Sequence, residues 1–211
     1  LWRTDVAVVN ATGAGACLEL RFTPAGGGEA RTWSGTTAPG TRLFSDVLVS
    51  LLGVGAEERA SGALRIASDR PLVVSSRTWN ATENGTYGAH LAGVGEERAV
   101  TEGRPGVLPQ LKRGAASRTN VGLTNPGTTE ATGSIRLFAA NGTALGSAKA
   151  VAVPAGALVQ VDDVFAACGA GDAAIAWARV DVATPGGALF AYASVIDNAT
   201  SDPTIVPVIV P

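Results

Sequence analysis

Two tandem antiparallel β-sandwiches are what this 211-residue sequence predicts. Three observations carry the expectation. The chain matches itself in order, at an offset of 114 to 118 residues. Apolar residues alternate with polar ones at the period of strands. Glycine (27) and proline (11) punctuate the chain at short intervals, with Val, Thr and Ala between them.

The self-match begins with "WRTDVAVVN" (2–10) against "SRTNVGLTN" (117–125). "LELRFTPAGG" from Leu18 then lines up with "GSIRLFAANG" from Gly133. "APGTRLFSDVL" from Ala38 matches "PAGALVQVDDVF" from Pro154, and "GALRIAS" from Gly62 matches "AWARVDV" from Ala176. The closing match sets "SRTWNATENGTYG" (76–88) against the stretch from Ser194, "SVIDNATSDPTIV". We therefore expect a first sandwich over 1–100, a linker over 101–115 and a second sandwich over 116–211. The linker holds charges, glycines and prolines. Its apolar "VLPQL" (107–111) is expected to dock on one of the sandwiches.

Each element follows from its pattern. In the second strand, Leu18, Leu20 and Phe22 point inward, and Cys17, Glu19 and Arg21 point to water. The copy does the same, with Ile135 and Leu137 inward and Ser134 and Arg136 outward. One dry face and one wet face is the pattern of an antiparallel sandwich. About seven such strands per unit fit an immunoglobulin-like sandwich of ~100 residues. One stretch breaks the period: Leu43, Phe44, Val47, Leu48, Leu51 and Leu52 recur at helical spacing, with Ser45 or Asp46 to cap and Gly53 to stop. "VDDVFAACG" stands in the same place in the second unit, so each sandwich is expected to carry one short helix. The last stretch, "TIVPVIVP", is interrupted by prolines that cannot donate to a ladder, which predicts an edge strand. Such an edge offers itself to a neighbouring chain.

Composition excludes several functions. Net charge is −2 with no basic stripe, so nucleic acid is not an expected partner. No apolar run approaches the ~20 residues that span a bilayer. The chain starts at Leu1 and holds no methionine, which suits a processed or trimmed chain from which any signal peptide would have been removed. No catalytic residue, metal site or cofactor is expected. The single histidine, His90, aligns with Val208 and so belongs to no repeated site. The carboxylates Asp162 and Asp163 suit a helix cap better than an acid–base pair. "DNATSDP" (197–203) gathers Asp197, Asn198 and Asp202, hard donors of the type calcium takes, yet Asx-rich hairpin turns read the same way. Three arginines recur in register, Arg3 with Arg118, Arg21 with Arg136 and Arg65 with Arg179, as residues pairing across a wet sheet face would.

Five of the seven asparagines stand in Asn-x-Ser/Thr: Asn10, Asn80, Asn84, Asn141 and Asn198. They are candidate N-glycosylation acceptors, and also residues that turns and strands use for their own sake. Cys17 and Cys168 are not repeat-equivalent. They are candidates for a disulfide within or between chains, with two unpaired thiols as the alternative. A bond between chains would join one subunit's first unit to the next subunit's second and propagate head to tail. Trp2, Trp33, Trp79 and Tyr87 are the candidate ligand-contact aromatics.

"RTNVGLTNP" and "YASVIDNATSDPTIVP" resemble a pattern in uncharacterised tandem β-sandwich modules of secreted bacterial proteins. The likeness is strongest in the second unit; the first has Trp79–Asn80 where the pattern has Asp-Asn. It implies accessory or surface domains and no catalytic residues. The expected function is a non-enzymatic structural protein of the extracellular space or cell surface. It would associate with itself or with other surface proteins, and a filament subunit is one form of this. The alternative is a module that binds carbohydrate or protein.

Overall fold

The computed structural model describes residues 1–83 and 85–211. The chain divides into two compact units, the first of Leu1–Pro24 and Gly28–Val94, the second of Ala25–Gly27 and Gly95–Pro211. Nearly all regular structure is antiparallel β, as the alternating pattern predicts, with two single-turn α-helices and one 3-10 turn, Glu96–Arg98, among the described residues.

The first unit runs β1 (Arg3–Asn10), β2 (Ala16–Pro24), β3 (Arg31–Thr37), β4 (Gly40–Phe44), α1 (Val47–Ser50), β5 (Gly62–Ser68), β6 (Val73–Thr82) and β7 (Gly85–Ala92). One sheet has the order β4-β1-β6-β7 and the other β3-β2-β5. Strict alternation in β2 places Leu18, Leu20 and Phe22 in the core and Cys17, Glu19 and Arg21 in water. Val6 and Val8 from β1 meet them, and Phe44, Val47 and Leu52 complete the core. Each such side chain contributes about 1.5–3 kcal/mol by leaving water.

The second unit repeats this plan. It contains β8 (Val100–Thr101), β9 (Gly106–Arg113), β10 (Ser117–Thr124), β11 (Ala131–Ala139), β12 (Ala144–Val153), β13 (Leu158–Val161), α2 (Val164–Ala167), β14 (Ala173–Val182), β15 (Ala188–Asp197) and β16 (Pro203–Pro207). The sheet β13-β10-β15-β16 copies β4-β1-β6-β7, and β12-β11-β14 copies β3-β2-β5. Registers agree as well: Leu20 faces Ile66, and Ile135 faces Val180. As the prolines require, β16 is an edge strand.

The structure departs from the expectation in three places. Residues 101–115, expected as a linker, carry β9, which pairs antiparallel with β14 and buries Leu108 and Leu111 in the second core. Gln110, in the left-handed region at φ 58°, sits where the β9 register shifts; this bulge lets a strand containing Pro109 keep both leucines inward. Past β16 the chain bonds to β9 again, with Ile209 N donating to Val107 O at 2.9 Å and Val107 N to Ile209 O at 2.8 Å. Secondly, the helical spacing from Leu43 is only partly a helix. Leu43 and Phe44 end β4, and Leu43 is 62% exposed; the helix is the single turn Val47–Ser50, shortened because Asp46 turns into the left-handed region before it.

The third difference concerns the twice-written Asn-Ala-Thr. Thr4 pairs with Thr78 and the equivalent Thr119 with Val195, so Asn80 corresponds to Asp197 and not to Asn198. A one-residue slip exchanges the two faces of a strand. In the first unit Asn80–Thr82 completes β6; in the second, residues 198–200 lie beyond β15 in a longer turn. By the same register His90, opposite Arg77, corresponds to Ile205, opposite Ser194, and not to Val208.

Candidate functional site

The polar residues that the two units share are spent on the scaffold. Asp46 and Asp163 hold the matched positions before α1 and α2, both in the left-handed region at φ 46° and 38°. Non-glycine residues rarely adopt that conformation unless neighbours enforce it. The enforcing bonds are also matched. Asp46 N donates to Asp5 Oδ1 at 2.9 Å, and Asp163 N to Asn120 Oδ1 at 3.0 Å. Each carboxylate then meets an arginine: Arg3 at 3.1 Å from Asp46, and Arg113 of β9 at 2.9 Å from Asp163. Asp163 also caps α2, accepting from Ala166 N at 3.2 Å. Asp162 accepts from Gln160 Nε2 at 2.7 Å. Of the carboxylate pair, Asp163 caps the helix and Asp162 does not.

Asn10 and Asn125 form a second matched pair, each 1% exposed at the end of the first strand. Asn125 Nδ2 donates to Thr129 O at 2.7 Å and Val153 O at 2.9 Å, while its Oδ1 accepts from Gly127 N at 2.8 Å. Asn10 Nδ2 donates to Ala14 O at 2.9 Å and Thr37 O at 3.5 Å, and its Oδ1 accepts from Thr12 N at 3.0 Å. Each asparagine locks a loop to a neighbouring strand. A glycan on Asn10 Nδ2 would displace those bonds.

The remaining sequons have different surroundings. Asn80 is half-buried, with Nδ2 donating to Tyr87 Oη at 3.0 Å. Asn198 is exposed but occupied: Arg118 donates to its Oδ1 at 2.8 Å, and its Nδ2 reaches Ala115 O at 3.0 Å. Asn141 stands on the exposed β11–β12 turn, where its Oδ1 accepts from Thr143 N at 3.0 Å. Asn84 lies outside the described residues.

The turn after β15 is organised by Asp197. Its Oδ1 accepts from Thr200 N and Ala199 N at 2.9 Å each and from Thr200 Oγ1 at 3.1 Å. These donors hold the carboxyl below its ordinary value of 3.8, the Thr200 backbone N–H most strongly. Because the folded value is depressed, the turn's stabilisation is whole above 3.8 and is lost as pH falls through the lowered value. Amide shifts of Ala199 and Thr200 should titrate with a midpoint below 3.8, and the step should vanish in Asp197→Asn. A midpoint at or above 3.8 contradicts the geometry. Of the residues that suggested calcium, Asp197 spends its carboxylate on this turn and Asn198 its amide oxygen on Arg118, and among the described residues no group of three His, Cys, Asp or Glu side chains is placed to hold a metal.

Both thiols are unpaired. Cys17 is exposed on the wet face of β2, as alternation predicts. Cys168 is buried in the second core with Sγ 3.9 Å from Ile135 O, and burial pushes its thiol up. A disulfide at Cys168 therefore requires that core to open. An Ellman-type reagent should modify Cys17 alone in the native protein and both thiols after denaturation; rapid native modification of both would overturn the placement.

The four candidate aromatics are not gathered. Trp2 and Tyr87 meet edge to face, centroids 5.3 Å apart, and Trp2 is 47% exposed. Trp79 stands on the outer face, its Nε1 donating to Asp5 Oδ2 at 2.9 Å. Trp33 packs on the first core, edge to face with Phe44 at 5.6 Å. A different pair was missed: Phe138 and Trp177 lie directly opposite on β11 and β14 and stack at 4.2 Å on the outer face. The signal lay in strand parity, since their neighbours Leu137 and Ala178 point inward.

The recurrent arginines also resolve into pairs. Arg21 faces Arg65, and Arg136 faces Arg179, each pair directly across two strands on the wet face. Like charges in that relation repel. Arg179 is offset by Asp181 at 2.8 Å. His90 is exposed. No helix is long and apolar enough to cross a membrane among the described residues. The chain matches no protein-family model and no curated protein.

Proposed function

We propose that this chain is a non-enzymatic structural module of the cell surface or an extracellular assembly, joined to its neighbours through the edges of its sheets. The supporting observation is the fate of the repeated polar residues. Asp5/Asn120, Asp46/Asp163 and Asn10/Asn125 make equivalent internal bonds in both units. What was duplicated is a scaffold, with its sheet edges as its outward feature. The likeness to tandem sandwich modules of secreted bacterial proteins, immunoglobulin-like in strand number, points the same way. Sedimentation velocity over rising concentration, with electron microscopy of the densest sample, tests it. Concentration-dependent association is expected. A monomer throughout overturns self-assembly.

One observation favours a carbohydrate-binding alternative: the Phe138–Trp177 stack beside Arg136 and Arg179 suits a sugar ring carrying an acidic group. On that reading acidic glycans are retained by the native chain and lost by Trp177→Ala.

A further inference from the structure

The second unit displays what the first unit's open edge can accept. β14 is bonded on both sides, by β11 and by β9. Its counterpart β5 is bonded by β2 and, among the described residues, ends its sheet. The registers agree up to that edge, so the inward positions can be compared one by one. Ala176, Ala178 and Val180 of β14 are 1%, 0% and 0% exposed. Gly62, Leu64 and Ile66 stand in their places on β5 and are only half-buried. Two of these three are larger than their counterparts and still reach solvent. The missing cover is identifiable: Leu108 and Leu111 of β9 lie opposite Ala178 and Ala176, both 0% exposed.

Charge agrees with the same occupant. β9 ends in Lys112–Arg113, and Arg113 Nη1 lies 3.1 Å from Asp172 in the loop leading into β14. The loop leading into β5 carries Glu57, Glu58 and Arg59; Glu58 is paired with Arg31, which leaves the exposed Glu57 as the acid open to a basic end.

We propose that the β5 edge is a strand-acceptor site. Its occupant is an extended segment of a partner protein with the chemistry of β9: about eight residues, antiparallel to β5, apolar at two inward positions and basic at its C-terminal end. Main-chain bonds to the edge supply affinity, and the apolar pair closes the first core over Leu64 and Ile66. This rests on the edge-joined module proposed above and assigns one of its edges, β5, to a partner other than this chain, leaving self-association to the remaining edges. The two readings fail separately, because sedimentation of the chain alone does not involve the added segment.

The test uses the full chain and a labelled synthetic peptide with the sequence of Gly106–Arg113. Saturable one-to-one binding is expected, with new amide protection confined to residues 62–68. A peptide with both leucines replaced by aspartate should not bind. Absence of binding up to about 1 mM peptide, a weak limit for a specific contact, overturns the proposal. So do equal binding of the aspartate peptide and protection that falls elsewhere. Protection of 62–68 that rises with protein concentration, without peptide, identifies a second copy as the occupant and overturns the assignment to a different partner.

Discussion

Leu108→Ala and Leu111→Ala are each expected to destabilise the second unit by about 2–5 kcal/mol, the range for large-to-small changes in a packed core. Both leucines are 0% exposed, and they stand at the edge of β14, where little else can move in to fill the space. Leu43→Ala is the contrast. Leu43 is 62% exposed, and its loss should stay within about 0.5 kcal/mol. Denaturant unfolding checks both, read from a second-unit probe such as Trp177 for the β9 leucines and from a first-unit probe such as Trp33 for Leu43. If the β9 leucines behave like Leu43, residues 106–113 are a linker after all and the second core closes without them.

The second large effect belongs to the asparagine pair. Asn125→Ala removes three hydrogen bonds at a site 1% exposed and leaves Val153 O without its donor. An unsatisfied buried group costs about 1–3 kcal/mol, so a loss of about 2–4 kcal/mol is expected for the set. Asn125→Asp should do no better at neutral pH, because it keeps the acceptor for Gly127 N but sets a carboxylate oxygen against two carbonyls. Asn10→Ala should fall in the same direction in the first unit, by less, since its bond to Thr37 O is long at 3.5 Å. Asn141, exposed on its turn, provides the neutral comparison. Thermal unfolding of the four variants measures the ranking.

How far the sequence carried the fold depends on which force governed each element. Alternation at Leu18–Phe22 and Ile135–Leu137 reports burial directly, so the sandwich, the wet face of Cys17 and the repeat were all readable. Prolines at 203 and 207 gave the edge strand for an equally local reason. Three things escaped. β9 hides its alternation, because the bulge at Gln110 puts two residues of β9, Pro109 and Gln110, against one of β14, Trp177. The helical spacing of Leu43 and Phe44 was produced by a strand running into a single turn. And Asn-Ala-Thr looked equivalent in the two copies because letters were aligned where pleats were not. The Asp197 turn is longer than the one joining β6 to β7, and that length absorbs the slipped register. The scaffold roles of Asn10 and Asn125 were visible only as a shared letter in "VVN" and "LTN"; which bonds they make depends on loops folding back onto neighbouring strands.

One sandwich stands twice in this chain, and among the described residues only the second copy has its β14-type edge covered. Residue-resolved native hydrogen exchange over β5 and β14 tests this most directly. In β14, amides of both orientations should be protected, since β11 and β9 take one set each. In β5, alternate amides should exchange quickly while those facing β2 remain slow. Uniform protection along Gly62–Ser68, equal to that of Ala173–Val182, would contradict the account.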